Sequence, residues 1–203
     1  MTRLRIDHVT VAASELQRLE RAFAAAGLDP VYGGRHANGV THMSIVGFQD
    51  GSYIELIAPL DPGADAPVWT EHMRHDGGPC GWAIGVDDIA AETARATALG
   101  VPTRGPVPAS RRRPDDVVAE WDMAFLGDGQ PGALLPFMIR DRTPRENRVP
   151  PAVPVTRSSG SAAPQPAAPE TAGFDGLPRG VAMVILGVSD LYAAARLFRT
   201  VYS

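Results

Sequence analysis

Two ionisable side chains on predicted β-strands, His8 and Glu55, are the first candidates for chemistry in this 203-residue chain. Glu55 lies between Ile54 and Leu56, and a carboxylate on a buried strand needs a partner or a function. Such a carboxylate can act as a general base that removes a proton beside a carbonyl group. His8 either polarises a substrate oxygen or is a hydrogen-bonded core histidine.

Strand alternation predicts which face of the sheet each candidate occupies. In the run Arg5–Ala12, His8 and Thr10 share one face, and the apolar residues between them share the other. Glu55 shares a face with Tyr53 by the same rule. Since the apolar face should meet a helix, we expect the polar face to line a substrate pocket. Its predicted members are Tyr53, Thr10, His36 and His42, although the two histidines lie near turns and are equally compatible with an exposed surface.

The elements that position these residues form an internal repeat. Residues 4–58 have the pattern of a strand, a helix and three further strands, and residues 81–140 repeat it. A shift of 73 positions places Leu16 on Ile89 and Gly27 on Gly100 without a gap. The sequence therefore predicts an α+β protein built from paired βαβββ units.

Composition divides the remainder of the chain. Residues 1–142 form the predicted body, and residues 143–178 are a Pro/Ala-rich stretch that we interpret as a linker. Residues 179–203 repeat only the first strand, Val181–Val188, and the helix, Leu191–Tyr202, of a truncated third unit. We expect this apolar tail to dock on the body or on a neighbouring chain, since exposure would invite aggregation.

Composition also excludes several classes of function. The net charge of −4 argues against a nucleic-acid partner. All nineteen basic residues are arginine, so Schiff-base chemistry on lysine is excluded. The single cysteine excludes an intramolecular disulfide and a cysteine-cluster metal site. A charged start and apolar runs of at most eight residues predict a cytoplasmic protein with no membrane partner.

Five segments carry a resemblance to a known family: Ile6–Val11, Gly33–His36, Thr41–His42, Tyr53–Pro59 and Leu135–Ile139. They resemble the vicinal oxygen chelate superfamily, which includes glyoxalases, bleomycin-resistance proteins and extradiol dioxygenases. Within that group the chain is most similar to the glyoxalase-like domain subfamily. The resemblance covers residues 4–142 and, in part, 179–203. It implies curved mixed sheets around a shared cavity.

The resemblance also implies a divalent metal ion (Fe, Mn, Ni or Zn) bound by residues of the first and fourth strands of each unit. His8 and Glu55 occupy these positions in the first unit, and there Glu55 is a metal ligand or a general base. The equivalent residues of the second unit, Gly81 and approximately Phe137, cannot bind a metal. A third ligand would be His42 or His36, or would come from another chain in a homodimer.

Two functions follow from the resemblance, and neither requires a nucleotide cofactor. One is a metal-dependent lyase, isomerase or dioxygenase that acts on a small polar metabolite. The other is a metal-free module of the bleomycin-resistance type, which binds and sequesters a small molecule. Metal analysis of the purified protein separates the two.

Overall fold

The structure is a computed structural model that describes residues 4–151 and 178–203. The first predicted unit is a strand, a helix and three strands. A tight turn at residues 49–52 joins its last two strands. The elements are β1 (Arg5–Ala12), α1 (Leu16–Ala25), β2 (Val31–His36), β3 (Thr41–Gly47) and β4 (Tyr53–Pro59).

The second unit repeats this order after a short connecting helix, α2 (Thr70–Arg74). Asp88 caps its helix by accepting a hydrogen bond from the Ala91 backbone N–H. Gly27 and Gly100 follow the equivalent helices of the two units with φ of +80° and +78°, a conformation that favours glycine. The elements are β5 (Gly78–Gly85), α3 (Ile89–Ala98), β6 (Thr103–Arg112), β7 (Val118–Leu126) and β8 (Phe137–Asp141).

The eight strands form one closed mixed sheet in the order β1-β4-β3-β2-β6-β7-β8-β5. Within each unit the first and fourth strands pair in parallel, and the remaining pairs are antiparallel. The two units meet at two antiparallel seams, β1–β5 and β2–β6. The predicted α+β fold of paired βαβββ units around a shared interior is confirmed.

Strand register confirms the repeat residue by residue. Across the β1–β5 seam Val9 pairs with Trp82, the residue on which the 73-position shift places it. The same shift makes Ala83 the equivalent of Thr10. Because Thr10 pairs with Glu55 and Ala83 pairs with Phe137, Phe137 occupies the position of Glu55 in the second unit.

Apolar residues cover both faces of the sheet. Outside the ring, Leu16 of α1 packs on Val46 and Leu56. Helix α3 packs similarly on Ile84 and Met138. Inside the ring, a third cluster surrounds the cavity described below; it includes Met43, Tyr53, Ile57, Trp69 and Phe137.

Residues 143–151, predicted to begin the linker, instead pack against the body. They include a one-turn helix, α4 (Arg145–Arg148). Arg148 and Val149 are buried, with 1% and 6% of their surfaces exposed. The reason is a set of charge-assisted hydrogen bonds from the α4 arginines to carboxylates on β1 and β8. The rest of the predicted linker up to residue 177 lies outside the described residues.

The C-terminal tail is predicted correctly as a helix and wrongly as a strand. Residues 181–188 form no strand, because the closed sheet offers no free edge for them to pair with. Helix α5 (Leu191–Tyr202) packs on the second unit, where Phe198 stacks on Trp82 and Val201 is fully buried. The preferred expectation that the tail docks on the body is therefore met by its helix.

Among the described helices, none combines the length and the apolar character needed to cross a bilayer.

Candidate functional site

His8 and Glu55 lie together inside the closed sheet, on neighbouring parallel strands. Thr10 is the register partner of Glu55, and its hydroxyl donates a hydrogen bond of 3.0 Å to Glu55 Oε2. His8 Nε2 lies 3.8 Å from the same oxygen. Strand alternation thus brings all three predicted residues to one point, and their roles remain predictions.

His36 completes the surroundings of Glu55 from the end of β2. Its Nε2 lies 3.4 Å from Glu55 Oε1, and its Nδ1 lies 2.9 Å from the Thr41 hydroxyl oxygen. Burial alone would raise the pKa of Glu55. The contacts with His36, His8 and Thr10 outweigh burial and lower that pKa to about 2. Glu55 is therefore an ionised carboxylate at any physiological pH.

Behind His8 lies a buried network of charges that sequence reasoning missed. His8 Nδ1 is 2.7 Å from Asp7 Oδ1. Arg148 donates to both Asp7 oxygens at 3.0 Å and to Asp141 Oδ1 at 2.5 Å, and Arg145 also pairs with Asp7. Burial favours the neutral form of Asp7, but Arg148 and His8 hold the pKa of its carboxyl well below the usual range.

The only sequence signal for this network is the spacing of Arg145 and Arg148, which places both on one face of a helical turn. Their partner Asp7 lies 138 and 141 positions away, so no local pattern connects them.

Tyr53, a predicted pocket residue, links the network to the cavity. Its phenol oxygen accepts a hydrogen bond of 2.8 Å from Arg148, and burial raises the pKa of that phenol. The ring stacks on His8 with 4.6 Å between centroids. These contacts hold the imidazole of His8 between Asp7 and Glu55.

His42 does not join the site. It lies on the outer face of β3, where its ring packs edge-on against Tyr32 at 5.9 Å. Its neighbours in the strand, Met43 and Ile45, belong to the interior cluster. Because His42 lies on the face of β3 opposite to Met43 and Ile45, its interpretation as pocket lining and as a third metal ligand is wrong.

The interior encloses a cavity of about 540 Å³ with one polar and one apolar wall. The first unit provides His8, His36 and Glu55. The second unit provides a set of apolar and aromatic side chains, Trp121, Met123, Phe125, Phe137 and Ile139, and also the polar residues Arg104, Ser110 and Arg111. The exposed lining residues, which mark the mouth, are Ala37, Asn38, Pro67, Arg104 and Pro108.

Among the described residues, the cavity does not present a complete set of ligands for a divalent metal ion. In residues 4–151 and 178–203, no group of three or more His, Cys, Asp or Glu side chains has suitable geometry. Glu55 lies between the two imidazoles, with its oxygens 3.8 Å from His8 Nε2 and 3.4 Å from His36 Nε2. In the second unit, Gly81 and Phe137 occupy the positions of His8 and Glu55, and neither side chain can bind a metal.

Comparison with known proteins identifies a family. The model of the glyoxalase-like domain family matches residues 6–173. No curated protein matches the chain. A hypothetical protein from Staphylococcus aureus has 18% identity and a TM-score of 0.59 over 72% of this chain. The match covers 62% of that protein, so the chain spans less than two thirds of its length. At this identity the likeness shows a shared fold and leaves activity open.

Two methylmalonyl-CoA epimerases also match. The enzyme from Mycobacterium tuberculosis is 19% identical, with a TM-score of 0.48 over 67% of this chain and 85% of that one. A variant of the Streptomyces coelicolor enzyme, in complex with 2-nitronate-propionyl-CoA, is 19% identical, with a TM-score of 0.49 over 68% of this chain and 95% of that one.

Proposed function

The chain belongs to the glyoxalase-like domain family of the vicinal oxygen chelate superfamily, and from that premise we propose that it binds a small organic molecule in its cavity without a resident metal ion. The observation that carries this proposal is the ionised carboxylate of Glu55, which faces an apolar wall inside a cavity of ligand size.

The low pKa of Glu55 favours recognition over proton abstraction. A general base works best when its pKa lies near the working pH, and a carboxylate with a pKa of about 2 holds a proton too weakly for that role. A fixed negative charge in a partly desolvated cavity instead attracts a cationic or hydrogen-bond-donating group. Glu55 therefore recognises the polar group of the ligand.

The opposite wall indicates what the rest of the ligand looks like. Phe125 and Trp69 lie 6.0 and 6.4 Å from the Phe137 ring, centroid to centroid, so the second unit and the segment that precedes α2 together present an aromatic surface. Such a surface favours an apolar or aromatic body. The expectation of a small polar metabolite is thereby refined to a molecule with one polar end and an apolar body.

A pair of probe molecules tests the proposal. Benzylamine and benzyl alcohol differ in the group that would meet Glu55, and binding of each can be measured by calorimetry. We expect Glu55→Gln to weaken benzylamine binding about ten-fold or more and to leave benzyl alcohol unchanged. Glu71→Gln removes a carboxylate that is 65% exposed on α2, outside the cavity, and is the matched control. Equal losses for both probes would contradict the assigned role of Glu55.

A metal-dependent lyase, isomerase or dioxygenase is the second candidate. The observation that favours it is the approach of His8 Nε2 and His36 Nε2 to within 4 Å of the Glu55 carboxylate. Metal analysis of protein purified without chelator distinguishes the two. We expect less than stoichiometric metal. One equivalent of metal in the wild type that is lost in both His8→Ala and Glu55→Gln would support the metal-dependent enzyme and contradict the metal-free binding module.

A further inference from the structure

Arg111 is a buried cation that the proposed function does not use. It lies on β6, where it pairs with His36 across the seam between the two units. Only 3% of its surface is exposed to solvent, yet its side chain lines the cavity. A buried guanidinium normally has a carboxylate partner, because an unpaired charge in the interior is costly.

Arg111 has no such partner. Within residues 4–151 and 178–203, no carboxylate lies within ion-pair distance of its guanidinium. Nη2 donates to the Arg148 carbonyl oxygen at 2.7 Å, and Nη1 contacts the Met43 sulfur, a weak acceptor. Nε is buried and has no hydrogen-bond partner. Nη1 and Nη2 each use one N–H in these contacts and each keep a second N–H for a ligand.

Its neighbour Arg148 shows what a structural arginine looks like in this protein. Arg148 is equally buried, and it pairs with two carboxylates, Asp7 and Asp141. Both cations lie in the same region, so the absence of a carboxylate beside Arg111 is specific to that residue. A buried charge that has no carboxylate of the protein beside it is a candidate for pairing with a ligand.

We infer that the ligand carries a carboxylate, which pairs with Arg111 while its donor group meets Glu55. This inference rests on the proposed function and adds a second recognition point to it. A planar guanidinium matches the two oxygens of a carboxylate. The ligand class is therefore an aromatic or apolar acid that also bears an amino group or another hydrogen-bond donor.

A positive charge at the mouth of the cavity is consistent with an anionic ligand. Arg104 is exposed there, with its guanidinium carbon 4.6 Å from the centre of the Phe125 ring. A positive charge at the entrance attracts an approaching anion. Arg104 and Arg111 thus place one cation at the entrance and one inside.

Two probes that differ only in this anionic group test the inference. Binding of 4-(aminomethyl)benzoate and 4-(aminomethyl)benzamide is measured by calorimetry for the wild-type protein, Arg111→Met and Arg112→Met. Arg112 is the matched control, since it follows Arg111 on the same strand and is exposed. We expect the wild type and R112M to bind the benzoate about ten-fold or more tightly than the benzamide. R111M should bind both with the weaker affinity.

Three results would overturn the inference. They are equal affinities for the two probes in the wild type, a preference for the benzoate that persists in R111M, and loss of that preference in R112M. The wild-type comparison decides the matter even if R111M does not fold. If Glu55→Gln weakens both probes while the carboxylate adds nothing, the inference fails and the proposed function stands. If neither probe binds the wild type, both fail.

Discussion

Replacing Arg148 with methionine removes the cation that holds two carboxylates inside the protein. Arg148 makes two hydrogen bonds of 3.0 Å to Asp7, two of 2.5 and 3.2 Å to Asp141, and one of 2.8 Å to the Tyr53 phenol. Asp7 is 1% exposed, so water cannot replace the lost donors. Removing one partner of a buried ion pair costs about 3–5 kcal/mol. For a protein of this size, that loss lowers the unfolding temperature by about 6–20 °C.

The matched control is Arg145→Met. Arg145 also pairs with Asp7, but its side chain is 27% exposed and Asp7 keeps both bonds from Arg148. We expect this variant to lose only about 1 kcal/mol. The two free energies of unfolding are measured by urea denaturation at pH 7, where Asp7 is ionised in the wild type.

The pH dependence of the R148M defect tests the mechanism. The folded pKa of Asp7 lies below its unfolded value, so its ionised form stabilises the wild type above about pH 4. This contribution is lost as pH falls through the lowered folded pKa. Without Arg148, burial raises the Asp7 pKa, and the variant is penalised most at neutral pH. We expect the gap between wild type and R148M to narrow as pH falls from 7 towards 3. A loss below 1 kcal/mol, or a gap that does not depend on pH, would refute this reasoning.

Three further outcomes follow from the same structure. Phe198→Ala removes the ring stacked on Trp82 and should lower the free energy of unfolding by about 2 kcal/mol. Tyr192 is 83% exposed on the same helix, so Tyr192→Ala should change that free energy by less than about 0.5 kcal/mol. Equal effects would show that α5 does not dock as described. The folded pKa of Glu55 is about 2, against an ordinary 4.5, so its ionised form should stabilise the protein by up to about 3 kcal/mol above pH 4.5. Urea denaturation should show that the loss of unfolding free energy in Glu55→Gln shrinks as pH falls from 4.5 towards 2. A loss that stays constant with pH would contradict the lowered pKa. Burial raises the pKa of the Cys80 thiol, so a disulfide reagent at pH 8 should label it only after unfolding, and labelling of the native protein within minutes would contradict its burial.

The parts of the fold that could be predicted are those that depend on residues close together in the chain or on the internal repeat. Period-two alternation predicted β1 to the residue, and the repeat predicted that approximately Phe137 replaces Glu55 in the second unit. Alternation also predicted that His8 and Glu55 face the interior of the sheet. It could not place His42, because a position near a turn left open the face of the sheet that its side chain occupies.

The parts that could not be predicted depend on partners far apart in the chain. Residues 181–188 have strand-like composition, but a strand needs an edge to pair with, and closure of the sheet removes every edge. Arg148 lies in a Pro-rich region, and its burial depends on Asp7, 141 positions earlier. The sequence likewise does not indicate that Arg111 is buried without a carboxylate partner. Arg111 begins a run of three arginines followed closely by Asp115 and Asp116, a pattern typical of an exposed loop.

The two seams that close the sheet, β1–β5 and β2–β6, are both made within one polypeptide. Because both halves are covalently linked, dilution does not separate them, and each chain carries one complete cavity. A symmetric pair of identical units would repeat every substitution on both walls. Here the equivalent positions carry different residues, so a change at Phe137 is not repeated at Glu55. We therefore expect substitutions at these two positions to act separately on the apolar body and on the polar group of the proposed ligand.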